Sequence, residues 1–116
     1  MIYAIVGSRK RTDREAVTQF VDSLAQDDVV ISGDAKGVDS WAIEAARHRG
    51  LETRIYQADT TGCKHRWEYA NAYYARNARL AMECNILVAF VAPERKGGTE
   101  NTIRHAQRLN RRIIIK

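Results

Sequence analysis

Three stretches of this chain combine glycine with hydroxyl, cationic or acidic side chains. They are Gly7-Ser8-Arg9, Gly33-Asp34-Ala35-Lys36-Gly37-Val38-Asp39 and Gly97-Gly98-Thr99. Glycine lets a backbone turn sharply and come close to a ligand. Amides at a helix N-terminus, with the helix dipole behind them, favour an anion, the dipole by roughly 0.3–2 kcal/mol. Arg9 and Lys36 above such a floor suit phosphate. Ser8 and Thr99 carry hydroxyls fit for phosphate or ribose, and either would also serve as a helix cap. Arg76 and Arg79, three apart, offer a second cationic wall, although a solvated surface charge explains each arginine taken singly.

These loops need elements to hold them. Val29-Val30-Ile31 reads as a buried strand ahead of the second loop. Val38, Ala42, Ala45 and Ala46 follow at helical spacing, with Gly50 as the stop. Ile2–Val6 reads as a central strand feeding Gly7-Ser8-Arg9. Thr12-Asp13-Arg14-Glu15 has capping-box spacing, with Glu15 expected to reach back to the Thr12 amide. Val17, Phe20, Val21 and Leu24 then mark one helix face.

Glu52–Tyr56 is a more polar strand, expected nearer a sheet edge. Thr60, Thr61 and Gly62 make 57–66 irregular. Residues 67–84 read as a helix with Arg76 as its weak point, and Tyr73, Leu80 and Cys84 lie on one stripe. Asn77 falls within that stripe and needs a polar partner, for which a neighbouring loop backbone suffices. Ile86–Val91 is continuously apolar, as a central parallel strand should be. Thr99 reads as the N-cap of a last helix with Ile103, Ala106 and Leu109 inward. Ile113–Ile115 closes the chain.

Strands alternating with helices predict a parallel sheet covered on both faces. The expected fold is an α/β, Rossmann-like three-layer αβα domain over residues 1–116, with five parallel strands in the order 3-2-1-4-5. In such sheets ligands bind outside the carboxyl ends where the strand order reverses. All three glycine loops would meet at or beside that crevice.

Composition narrows the function classes. One hundred and sixteen residues suffice for one domain with its own core. Nineteen basic against 14 acidic residues give a net charge of +5, which suits phosphate-bearing partners. No apolar run reaches membrane-span length, so no membrane partner is expected. Met1 leads into the strand-like IYAIV and then into basic residues, unlike a secretory leader. Cys63 and Cys84 make no disulfide framework, and a cytoplasmic location is expected. Cys63 and His65 lack a nearby third metal ligand, and no metal or cofactor is expected. G-x-G-x-x-G and G-x-x-x-x-G-K-[ST] are both absent, which disfavours dinucleotide oxidoreductases and P-loop NTPases.

Val6-Gly7-Ser8-Arg9, Ser32–Asp39, Arg76-Asn77 and Gly97-Gly98-Thr99 together resemble the SLOG superfamily, which includes Smf/DprA and lonely-guy proteins. The closest likeness is to its small stand-alone YspA-like, YpsA-related members. The resemblance implies a domain that binds nucleotides, nucleotide derivatives or, as in DprA relatives, single-stranded DNA. Its ligand residues would be Gly7, Ser8, Arg9, Gly33, Lys36, Gly37, Asp39, Arg76, Asn77, Gly97, Gly98 and Thr99.

Lonely-guy enzymes cleave the N-glycosidic bond of nucleoside monophosphates with a PGGxGTxxE motif. This chain reads Gly98-Thr99-Glu100-Asn101-Thr102, so Glu100 directly follows the threonine and Thr102 holds the expected acidic position. If the chain were such an enzyme, Glu100 or Asp39 would be its acid/base and Arg76 would orient the phosphate. Arg104, Arg108 and Arg111 form a basic row without interleaved aromatics and read as a solvated helix face. Trp67, Tyr69, Tyr73 and Tyr74 gather on another helix, where core or subunit packing accounts for them, and a homo-oligomer is expected. The expected partner is a nucleotide-type small molecule, with single-stranded nucleic acid as the alternative.

Overall fold

β-branched runs form the strands, and the amphipathic stretches between them form the helices. The computed structural model describes residues 1–116. In chain order the elements are β1 (Ile2–Gly7), α1 (Arg14–Asp22), β2 (Val29–Gly33), α2 (Val38–His48), β3 (Glu52–Tyr56), α3 (Arg66–Glu83), β4 (Ile86–Phe90), α4 (Gly98–Arg108) and β5 (Arg112–Ile115). All pairings are parallel, in the order β3-β2-β1-β4-β5. The expected topology is therefore present, with the polar β3 at one edge. Every residue of β4 is buried.

Successive strand residues point to opposite faces, and that alternation splits the core in two. Ile5, Val30, Val88 and Phe90 pack with Val17 and Val21 of α1 and with Val38, Ala42 and Ala46 of α2. Ala4, Val6, Ile31, Leu87 and Ala89 pack with Leu80 and Ala81 of α3 and with Ile103 and Ala106 of α4. The chain thus winds one way from β1 to β3, crosses to the other face through α3, and leaves the reversal between β1 and β4. No helix is long and apolar enough to cross a membrane.

Several local expectations fail for identifiable reasons. The Thr12–Glu15 capping box does not form, because α1 starts after Asp13 with no side-chain cap. Arg11 instead holds the Asp13 carboxylate with two hydrogen bonds, at 2.9 and 2.6 Å. The helix start that does carry this chemistry is α3, where Glu68 accepts from the His65 amide at 2.9 Å and the Lys64 amide at 3.2 Å.

α3 runs unbroken through Arg76. Its buried residues begin only at Asn77, so its first half extends past the core with Trp67, Tyr69, Tyr73 and Tyr74 exposed. Tyr73 therefore does not share the buried stripe of Leu80 and Cys84. Leu109 is exposed as well, one residue beyond α4. Thr99 is not an N-cap; Gly97 is, which places Thr99 inside the first turn of α4. Arg111 is no solvated charge, since it donates to the Ala81 and Met82 carbonyls at the end of α3.

Candidate functional site

β1, β2 and β4 end at Gly7, Gly33 and Phe90 on the same side of the sheet, with Gly7 opposite Phe90 in register. The three glycine-bearing loops leave from that side. Gly37 and Gly97 sit at φ 89° and 93°, in the left-handed region that favours glycine. Each is the N-cap of the helix that follows, and neither α2 nor α4 has a side-chain cap hydrogen bond. A Cβ at either glycine would meet nothing within 4 Å. Two helix N-termini are thus left open to an acceptor from outside.

The other two glycines of the first pair of loops have different work. A Cβ on Gly7 would stand 2.5 Å from Val38, so this glycine lets the start of α2 close on the end of β1. Over Gly33 the space is filled by the Arg76 guanidinium and the Asp39 carboxylate, both 2.7 Å from a notional Cβ.

Arg76 organises the polar centre. Its Nη1 donates to Asp34 Oδ1 at 2.6 Å and to the Tyr56 carbonyl at 3.3 Å, and its Nε donates to Asn77 Oδ1 at 3.1 Å. Asn77 in turn donates from Nδ2 to Asn101 Oδ1 at 3.2 Å and to the Gly98 carbonyl at 3.4 Å. The loop-backbone partner expected for Asn77 is therefore present. A continuous polar bridge runs from the end of β2, through α3, to the first turn of α4.

Asp39 is buried beside this bridge. Burial pushes its carboxyl up to about 6, against the pull of the Arg76 charge and the Ala35 amide, which donates to it at 3.3 Å. Raised carboxyl groups held beside a cation in a crevice are the kind that functional sites collect.

The remaining residues are distributed around this centre. Arg9 and Lys36 are exposed and form no ion pair. Ser8 accepts the Lys10 amide at 3.1 Å through its hydroxyl. Glu100 accepts a hydrogen bond from Arg95 at 2.8 Å. Arg79 lies 4.8 Å over the Tyr56 ring and only 4.0 Å from Glu83, apart from the Arg76 cluster.

Sequence reasoning missed Asp34, Asn101 and Arg11. Arg11 ties the β1 loop to the far strands, donating to the carbonyls of Val91 at 3.0 Å and Lys116 at 2.8 Å. On one side of it a concavity of about 440 Å³ is lined by Val91, Ala92, Pro93 and Arg95. Another of about 380 Å³ lies toward Phe20, Phe90 and Lys116. Asp34 was visible as the first residue after a strand inside a glycine loop. Asn101 carried no local signal, because its partner is distant in the chain, and the spacing of Arg11 to Asp13 does not show its reach to Val91 and Lys116.

Site and topology together define a doubly wound, Rossmann-like α/β domain with a polar crevice at the strand reversal. Residues 1–56, from β1 through β3, match the family model of DNA recombination-mediator protein A. The fold is similar to that of DNA processing protein A (DprA) from Streptococcus pneumoniae, with a TM-score of 0.80 and 21% sequence identity. That likeness covers 97% of this chain and 49% of the DprA chain, so the present chain spans about half the length of its structural relative. No curated protein matches it.

Proposed function

We propose that this chain is a binding module for a phosphate-bearing nucleotide or nucleotide-derived ligand, held at the carboxyl ends of β1, β2 and β4. The observation that carries the reading is the pair of uncapped helix N-termini, each led by a positive-φ glycine, on either side of the Arg76–Asn77 bridge. The two ends would divide the ligand. Asp34 and Asp39 make the β2 end a poor seat for phosphate. The first turn of α4 is the better one, with the exposed, unpaired Arg9 of the β1 loop to supply a cation. Ser8, Lys36, Gly97, Gly98 and Thr99 would complete the binding surface, and a cytoplasmic, self-associating protein is the setting that fits this reading.

The likeness to DprA favours a second reading, single-stranded DNA, in which the ligand would continue along the exposed aromatic half of α3. Hydrolysis of nucleoside monophosphates is a weaker extension, because Glu100 is held by Arg95. Asp39, with its raised carboxyl, would then be the acid.

A thermal-unfolding screen over nucleoside monophosphates and short single strands tests the proposal. A ligand present at about 100 times its Kd should add roughly 2.7 kcal/mol. Arg9→Ala should weaken binding about tenfold or more, whereas the double change Arg104→Ala and Arg108→Ala should leave it unaltered. Few counterions would be released, so the salt dependence should be shallow. A steep slope that the double variant flattens would transfer the function to strand binding.

A further inference from the structure

Asp34 lies at the carboxyl end of β2 with its side chain 41% exposed, while its partner Arg76 is only 10% exposed. The pair is one-armed. Asp34 Oδ1 receives Nη1 of Arg76 at 2.6 Å, whereas Oδ2 accepts no hydrogen bond and Nη2 of Arg76 donates none. An open acceptor and an open donor therefore belong to two groups already joined to each other.

A hydroxyl can satisfy both at once, donating to the carboxylate oxygen and accepting from the guanidinium. A phosphate would meet the negative charges of Asp34 and Asp39, and a methylene would leave both polar atoms unpaired. In nucleotide-binding parallel sheets, an acidic residue of this kind takes a ribose hydroxyl while the phosphate lies on a helix N-terminus.

We infer that Asp34, oriented by Arg76, reads the 2′-hydroxyl of a ribose and makes the site selective for ribonucleotides over their deoxy counterparts. This rests on the nucleotide reading given above and adds a sugar specificity to it. Arg76 has two duties in this arrangement. It fixes the Asp34 carboxylate through Nη1 and supplies the second hydrogen bond through Nη2, while Nε keeps the guanidinium aligned with Asn77.

Calorimetric titration of the full chain tests this, using the four ribonucleoside 5′-monophosphates against the 2′-deoxy series and oligoadenylate against oligodeoxyadenylate. For one charge-assisted hydrogen bond the ribose form should bind about tenfold tighter or more. Asp34→Ala should erase that preference, bringing the ribose and deoxy series to equal affinity. Asp34→Asn, which keeps the shape and a neutral acceptor, should reduce it severalfold and covers the case in which the alanine variant fails to fold. Equal affinity for both series in the unaltered protein, or a preference that survives in folded Asp34→Ala, overturns the inference and leaves the nucleotide site standing. If no probe binds, the nucleotide reading itself falls, and the sugar reading with it.

Discussion

The N-termini of α2 and α4 look alike in sequence, each a glycine loop that opens a helix with an acidic residue in its first turn, yet they are built on opposite plans. At α2 the N-cap Gly37 is as open as Gly97, but the strand-end glycines behind it are crowded: Val38 presses on Gly7, and Arg76 and Asp39 roof Gly33. At α4 no glycine is crowded: a Cβ on Gly97 would touch nothing and one on Gly98 would reach only Asn77 Nδ2, at 3.9 Å. Glycine serves close packing at the first place and backbone conformation with free approach at the second. What fills the room above a glycine, rather than the glycine itself, decides what the loop can hold.

The largest effects that would test this contrast lie on the crowded side. Gly7→Ala and Gly33→Ala should each cost about 1–3 kcal/mol, by forcing Val38 or the Arg76–Asp39 pair out of place. Denaturant unfolding measures it, and two near-neutral results would mean that the α2 side is as slack as the α4 side.

Next in size is Asp39. Its folded carboxyl lies near 6, above its unfolded value of 3.8, so the native state holds the proton more tightly. The stability this brings is complete below about 3.8 and is lost as pH rises through about 6. The ionised form therefore destabilises the fold at neutral pH by as much as roughly 3 kcal/mol. Asp39→Asn cannot ionise and should be more stable than the parent at pH 8 by about 1–2 kcal/mol. The gain should fade toward pH 4, and parallel stability curves for the two proteins would contradict it.

The smallest effect belongs to the open side. Gly98→Ala, at the first position of α4 with room for its methyl, should change stability by less than about 1 kcal/mol, in the stabilising direction. A loss comparable to that of Gly33→Ala would erase the difference between the two sides.

The strand order and the crevice were legible because the strands announce themselves locally as short apolar or β-branched runs, β1 and β2 ending at a glycine. Periodicity also placed most of both core faces, Tyr73 and Leu109 being the misplaced residues. Helix ends were harder to read, because a cap depends on competition that spacing does not show. Arg11 binds the Asp13 carboxylate and Thr12–Glu15 loses its box, while Gly97 starts α4 and Thr99 loses its place as cap.

The centre of the site was the least legible part. Gly33, Asp39, Arg76 and Asn77 could be named singly, but their joining through Asp34 spans 42 residues. Only the fold brings them together. For the same reason Arg111, which looks like one more charge on a basic face, is a clasp across the end of α3.

β1 pairs with β2 on one side and with β4 on the other, and the Ile2 amide meets the side chain of Asn85, 83 residues further along. During synthesis this places a vulnerability in the middle of the molecule rather than at its rim. Once β2 has docked, the future centre of the sheet still shows a bare row of amides and carbonyls, a template for the wrong neighbour. The row is covered only when a much later segment leaves the ribosome and inserts beside it, a slow non-local closure. Of the five strands, β1 waits longest for its second neighbour.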